Sequence, residues 1–193
     1  MISRSKRRIA LSAFVLLVVA GCGSPTTTTA ASTTAASTTT TASAGSPASA
    51  APTTPAATVP DRLRFTAKTV DGADFSGETL AGKPAVLWFW APWCPKCQRE
   101  APGMASAAKD NASVTFVGVA ALDKEPAMRD FVKRFGLGGF THLADVDSAV
   151  WKRFGVTAQP AYAFIGRDGG VEVETGQLSE KQLRERVAAL AGA

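Results

Sequence analysis

The chain has 193 residues, enough for one domain with appendages and too few for two full domains. Its net charge of +5 suggests a polyanion partner, but Arg4, Lys6, Arg7 and Arg8 place four of the 21 basic residues in the first eight positions. The rest of the chain sets 17 basic against 16 acidic residues, which leaves no basic stripe for nucleic acid.

Residues 9–20 form an apolar run of twelve, broken only by Ser12, behind the basic start. As a helix this run rises ~18 Å, short of a ~30 Å hydrocarbon core, so it reads as an export signal. It ends in Val19-Ala20-Gly21-Cys22, which resembles the bacterial lipobox. That resemblance implies a signal peptide over 1–21, a diacylglyceryl group on Cys22 and anchorage to the extracytoplasmic face of the cell membrane. The other reading is an ordinary secretory signal with an incidental cysteine. Residues 23–60 hold 13 Thr, 11 Ala, 6 Ser and 5 Pro, with Val59 the sole large apolar side chain. Such a segment cannot bury enough surface to offset its ordering entropy. The expectation for 22–60 is a disordered tether spanning ~35 Å, with a mucin-like composition suited to O-glycosylation.

The folded domain is expected over 61–193. Phe65 to Val70 reads as a strand that ends at Asp71-Gly72, a hairpin turn signal, and returns through Asp74-Phe75. Ala85 to Ala91 and Val114 to Ala120 are apolar runs of the kind buried on both faces of a sheet. A helix from about Pro95 to Ala108 joins them as a βαβ unit. A second helix follows, capped by Asp123, with Pro126 in its first turn and Met128, Phe131, Val132 and Phe135 as its apolar stripe. A short helix covers Ser148 to Phe154. Ala161 to Ile165 and Val171 to Thr175 form an antiparallel pair. The last helix opens with the capping box Ser179-Glu180-Lys181-Gln182 and buries Leu183, Val187 and Leu190. These elements predict an α/β fold, a mixed sheet with helices on both faces.

Candidate chemistry lies in Trp93-Cys94-Pro95-Lys96-Cys97. Residues three apart on a helix have Cα atoms ~5 Å apart, within disulfide range. Cys94 falls at a helix N-terminus, where unpaired N–H groups and the macrodipole stabilise a thiolate. Pro95 suits the first helical position, and Lys96 adds positive charge. Cys97, one turn in, is better shielded. The pattern predicts an exposed nucleophile, Cys94, and a resolving thiol, Cys97. With only Cys22, Cys94, Cys97 and His142 available, a four-ligand zinc site needs Cys22 from far along the chain. His142 is expected to be structural or on the surface.

The stretches 83–95, 114–120 and Gln159-Pro160-Ala161-Tyr162-Ala163-Phe164 resemble the thioredoxin fold over about 61–193. They are most similar to exported, membrane-tethered members, the TlpA/ResA-like group and the actinobacterial Dsb-like lipoproteins of the DsbF type. The resemblance implies a thiol:disulfide oxidoreductase that exchanges disulfides with exported cysteine-containing proteins and is recycled by a membrane redox partner. It implies that Pro160 is a cis-proline beside the active site and that the Gln159 backbone pairs with an extended substrate. Glu100 matches an acidic residue of the TlpA/ResA-like pattern, which implies proton transfer with Cys97; a plain surface glutamate is the other reading. Trp93 is either a packing lid or a substrate contact, and Lys96 is either functional or merely solvated. Trp88 stands where thioredoxin has a buried Asp, six positions before the first active-site Cys.

Three other readings fit the residues less well. A CxxC can hold Cu(I), but the copper chaperones of this fold carry three residues between their cysteines and a downstream His ligand. A staple across so small a loop removes little chain entropy, which argues against a purely structural bond. A peroxidase lacks the Thr expected just before its Cys. Export to a compartment where disulfides persist, Pro95 and Lys96 favouring the Cys94 thiolate, and Trp88 in place of thioredoxin's Asp predict net oxidation by a monomer with no cofactor, no metal and no nucleic acid partner; reduction of apocytochrome c is the alternative that the TlpA/ResA-like resemblance implies.

Overall fold

The computed structural model describes residues 59–192. The expected signal peptide, Cys22 and the tether up to residue 58 lie outside the described residues. A small antiparallel hairpin pairs β1 (Thr66–Lys68) with β2 (Asp74–Ser76) across the Asp71-Gly72 turn, where Gly72 has φ 87. The main sheet has five strands in the order β5-β4-β3-β6-β7. They are β3 (Ala85–Trp90), β4 (Thr115–Ala120), β5 (Thr141–Ala144), β6 (Ala161–Ile165) and β7 (Val171–Thr175). The pairs β3/β4 and β4/β5 are parallel, and β3/β6 and β6/β7 are antiparallel. Four α-helices accompany the sheet among the described residues: α1 (Pro95–Asp110), α2 (Glu125–Arg134), α3 (Ala149–Phe154) and α4 (Glu180–Gly192).

The central strand is buried over its whole length, as its unbroken apolar run requires. Val86, Trp88 and Trp90 face one core with Cys97, Ala101 and Met104 of α1, Met128 and Phe131 of α2, and Leu183 and Val187 of α4. Ala85, Leu87 and Phe89 face the other with Val150, Trp151 and Phe154 of α3, Leu63 and Leu80. Helices thus cover both faces, three on the Trp88 side and one opposite. On α1 the buried positions Cys97, Ala101 and Met104 follow helical periodicity. The same helix carries Pro102 in its interior. At α4 the capping box forms as expected, with Gln182 N–H donating to Ser179 Oγ at 3.3 Å and Ser179 N–H to Gln182 Oε1 at 2.9 Å.

Three local expectations are corrected. Thr141 to Ala144 is a strand that the sequence pattern missed; it pairs in parallel with β4 and buries His142, which is 3% exposed. Asp123 does not cap α2, because its Oδ1 accepts the adjacent Lys124 N–H at 2.8 Å and Lys124 holds the cap position. Helix α3 starts at Ala149, not at Ser148. Ser148 sits left-handed at φ 58, and buried Asp145 accepts from Val150 N–H at 3.0 Å and Trp151 N–H at 2.9 Å instead.

Gly118 occupies the point where β4 passes between β3 and β5, paired with Trp88 on one side and His142 on the other. A Cβ there would overlap His142 Nδ1 and lie 2.7 Å from His142 Cε1 and 2.8 Å from Trp90 Nε1. His142 Nε2–H donates to Leu137 O at 3.0 Å, while His142 Nδ1 and Trp90 Nε1 are buried without a partner.

Candidate active site

Strand β3 delivers the chain to the head of α1, where Cys94 is the N-cap residue and Pro95 opens the helix. Cys94 has extended backbone (φ −75, ψ 113), which frees its side chain to fold over the first turn. Its Sγ accepts the Cys97 backbone N–H at 3.2 Å, so an orphan donor of the helix end is spent on sulfur. Both cysteines are free thiols. Cys97 is fully buried and Cys94 is 3% exposed. The expectation of an exposed Cys94 is thereby corrected: the cap position turns its side chain onto the helix, and it joins the Trp88-side core. Burial pushes the Cys97 thiol well above the ordinary range, helped by its hydrogen bond with Cys94.

Glu100, one turn beyond Cys97, is buried in the same core region, not spread on the surface. Trp88 Nε1–H donates to Glu100 Oε2 at 3.3 Å, and Leu178 N–H donates to Oε1 at 3.2 Å. Tyr162, which lines a cleft with Glu100, also favours its ionised form. Burial raises the Glu100 pKa, and these donors oppose that rise. Trp88 therefore does not leave the site without an acid; it anchors one supplied by α1. Tyr162 had no role assigned from sequence. The available signal was a phenol inside the apolar run 161–165, since a buried tyrosine O–H needs a partner.

The other expected residues lie as follows. Pro95 and Lys96 are exposed. The Gln159–Pro160 peptide is cis, Gln159 is half-buried and Pro160 is buried at the entry to β6. Trp93 is 53% exposed, and its Nε1–H donates to Leu122 O at 3.1 Å. Leu122 is itself 48% exposed and left-handed at φ 62, a conformation unusual for leucine. The Trp93 indole, directly before Cys94 in the chain, is thus held to the Leu122 backbone with both side chains exposed.

A helix-capping dithiol on a five-stranded mixed sheet defines a thiol-disulfide oxidoreductase of the thioredoxin fold, and this protein is such an enzyme. Residues 56–174 match the AhpC/TSA family, to which the chain belongs. Among its relatives is the soluble secreted antigen MPT53 of Mycobacterium tuberculosis, 48% identical over 141 residues that cover 71% of this chain and 81% of that protein. The thiol-disulfide oxidoreductase ResA of Bacillus subtilis is 30% identical over 128 residues, covering 65% of this chain and 71% of that protein. The fold superposes on DsbF of M. tuberculosis, in mixed oxidised and reduced forms, with a TM-score of 0.68 and 58% identity over 69% of this chain and 99% of that one.

Proposed function

We propose that Cys94 and Cys97 are the redox-active pair and that the enzyme oxidises exported cysteine-containing proteins. The observation that carries this reading is the Cys97 N–H donated to Cys94 Sγ at 3.2 Å, at the end of a helix. A donor and a helix dipole at that sulfur stabilise the reduced form, and a stabilised reduced form makes the disulfide a stronger oxidant. In the forward reaction a client thiolate attacks Cys94 Sγ of the disulfide, and Cys97 leaves and takes up a proton. A second client thiolate then attacks the client sulfur of the mixed disulfide. The client disulfide forms, Cys94 departs as thiolate, and two electrons have passed to the pair. Trp93 supplies apolar contact for the client, while Gln159 and Pro160 form the shelf for its extended backbone, as the family resemblance implies. Lys96 contributes positive charge beside Cys94, Pro95 starts the helix, and Glu100 exchanges the proton of Cys97.

The lipobox-like stretch ending at Cys22 supports a lipid-anchored protein on the extracytoplasmic face of the membrane, with 22–60 as its tether. The secreted character of the M. tuberculosis relatives, one of them a secreted disulfide oxidoreductase, supports export. Recycling by a membrane redox partner follows from a reaction that leaves the pair reduced. The test is refolding of a reduced, disulfide-requiring protein by stoichiometric oxidised enzyme, with Cys94→Ser and Cys97→Ser as controls. Recovery of client activity that needs both cysteines supports the oxidase. No recovery, with a potential at or below ~−270 mV, assigns the protein to reductive chemistry of the ResA kind.

A further inference from the structure

We infer that Leu122 and Val146 are specificity-determining residues, which with Trp93 select clients carrying an apolar side chain about three residues from the reacting cysteine. The inference rests on the dithiol reading above and deepens it by naming the kind of client. Among the described residues the exposed large apolar side chains are Trp93, Leu122 and Val146, at 53%, 48% and 52%. They are far apart in sequence, yet the sheet brings them to one end. Strands β3, β4 and β5 are parallel neighbours, and their last residues Trp90, Ala120 and Ala144 fall in one register row. Ala121 N–H donates to Trp90 O at 3.1 Å and Asp145 N–H to Ala120 O at 2.8 Å, so the pairing runs one residue further. Leu122 and Val146 come next, each two positions past its strand, and Trp93 is three past β3, directly before Cys94.

Local structure does not account for these side chains. Leu122 sits left-handed at φ 62, where asparagine or glycine is favoured and leucine is costly. Its carbonyl holds the Trp93 indole, a bond that needs only backbone. The leucine side chain therefore contributes neither to the core nor to that bond. Val146 follows Asp145, which is buried and caps the head of α3 through Val150 N–H and Trp151 N–H. Asp145 fixes that turn, and the Val146 side chain is left in solvent. Apolar side chains gathered in water beside a reactive thiol mark a surface that another molecule covers.

The row also has a side. It occupies the β4–β5 flank of β3. Pro160 lies at the same end of the sheet on the β6 flank, since Ala161 pairs with Phe89. A client laid across the strand ends with its cysteine at Cys94 meets the proposed backbone shelf on one flank and apolar side chains on the other. Two strand spacings separate β3 from β5, roughly 10 Å, which about three residues of extended chain cover. Unfolded chains expose apolar residues that folded ones bury, so the row favours clients that have not yet folded.

The experiment uses the full chain carrying Cys22→Ala and Cys97→Ser, so that Cys94 is the sole thiol. The probes are short Gly/Ser peptides, each with one cysteine joined to thionitrobenzoate by a disulfide. The Cys94 thiolate attacks the peptide sulfur, the enzyme–peptide disulfide forms, and thionitrobenzoate leaves as a coloured thiolate with the electron pair of the broken bond. Its appearance gives the second-order rate constant. Three peptides are compared: Leu three residues before the cysteine, Leu three residues after it, and Ser at both places. One Leu peptide should react about tenfold faster than the Ser peptide, the gain from partly burying one aliphatic side chain. Val146→Ser should lower that ratio, as should Leu122→Asn, which suits the left-handed backbone. Together they should bring it to about one. Both side chains are exposed, so neither change opens the core. Equal rates for all three peptides overturn the inference. The same gain from both Leu peptides also overturns it, because the row lies on one flank only. So does a ratio that survives in the double variant. A concentration-dependent dimer that Val146→Ser dissolves assigns the row to a second copy of this chain and overturns the client reading. Release of no colour from any peptide refutes the dithiol reading itself, and the inference falls with it.

Discussion

Gly118→Ala tests how tightly the core beneath the active-site strand is built. The added methyl overlaps His142 Nδ1 and comes within 2.8 Å of Trp90 Nε1. Neither neighbour is a flexible chain end. Trp90 is fully buried and stacked on Phe131 with ring centroids 4.3 Å apart, and His142 is 3% exposed and tethered to Leu137 O. Both rings must move, or the β4 backbone must, so the cost falls at the upper end of the overpacking range, about 3 kcal/mol. For a domain of this size that lowers Tm by about 10 °C. Guanidinium unfolding followed by circular dichroism reads the change directly. His142→Ala alone leaves a hole, but combined with Gly118→Ala it makes room for the methyl. The double variant should therefore be more stable than the two losses added together, by at least ~1 kcal/mol. Gly118→Ala within ~0.5 kcal/mol of the parent, or strict additivity, would refute this account of the packing.

His142 also sets a pH dependence. Burial lowers its pKa from 6.5 to about 4. The unfolded chain therefore binds the proton first as pH falls, and stability is lost between about 6.5 and about 4, up to ~3 kcal/mol. Raised pKa values at Glu100 and Asp145 act in the opposite sense, so the measurement is the difference in unfolding free energy between the parent and His142→Gln across that window. At the other end of the chain, Cys22→Ala should move the protein from the membrane fraction to the soluble exported fraction. Unchanged partitioning would remove the lipid anchor from the proposal.

What the sequence made legible was whatever local pattern dictates. The apolar run of β3, the Cys-Pro-Lys-Cys start of α1 and the Ser179–Gln182 capping box each needed only neighbours along the chain. What it concealed depends on distant partners. The strand Thr141–Ala144 has two polar residues in four and no alternation; it exists because β4 offers a parallel edge and Gly118 leaves space for the His142 ring. The cap of α3 comes from Asp145, outside the helix start, because Ser148 is turned left-handed. Glu100 could be read equally well as a surface side chain until Trp88, Leu178 and Tyr162, from two strands and a loop, closed around it. The burial of Cys94 has the same origin, since residue type and spacing place the sulfur at a helix end but not under the neighbouring chain.

Pro102 bears on how this enzyme changes state. Lacking an N–H, it cannot bond back to the Gln98 carbonyl, so the hydrogen-bond ladder of the sixteen-residue helix α1 misses a rung. The missing rung divides the helix at about two turns from its head. Both sulfurs lie on the short piece, and Met104 and Ala107 pin the long piece into the core. In the proposed chemistry, joining and parting the sulfurs applies a small mechanical load to one end of a jointed rod. The short segment is seated in the core through Cys97 and Ala101 as the long one is through Met104 and Ala107, so Pro102 marks a joint between two anchored pieces.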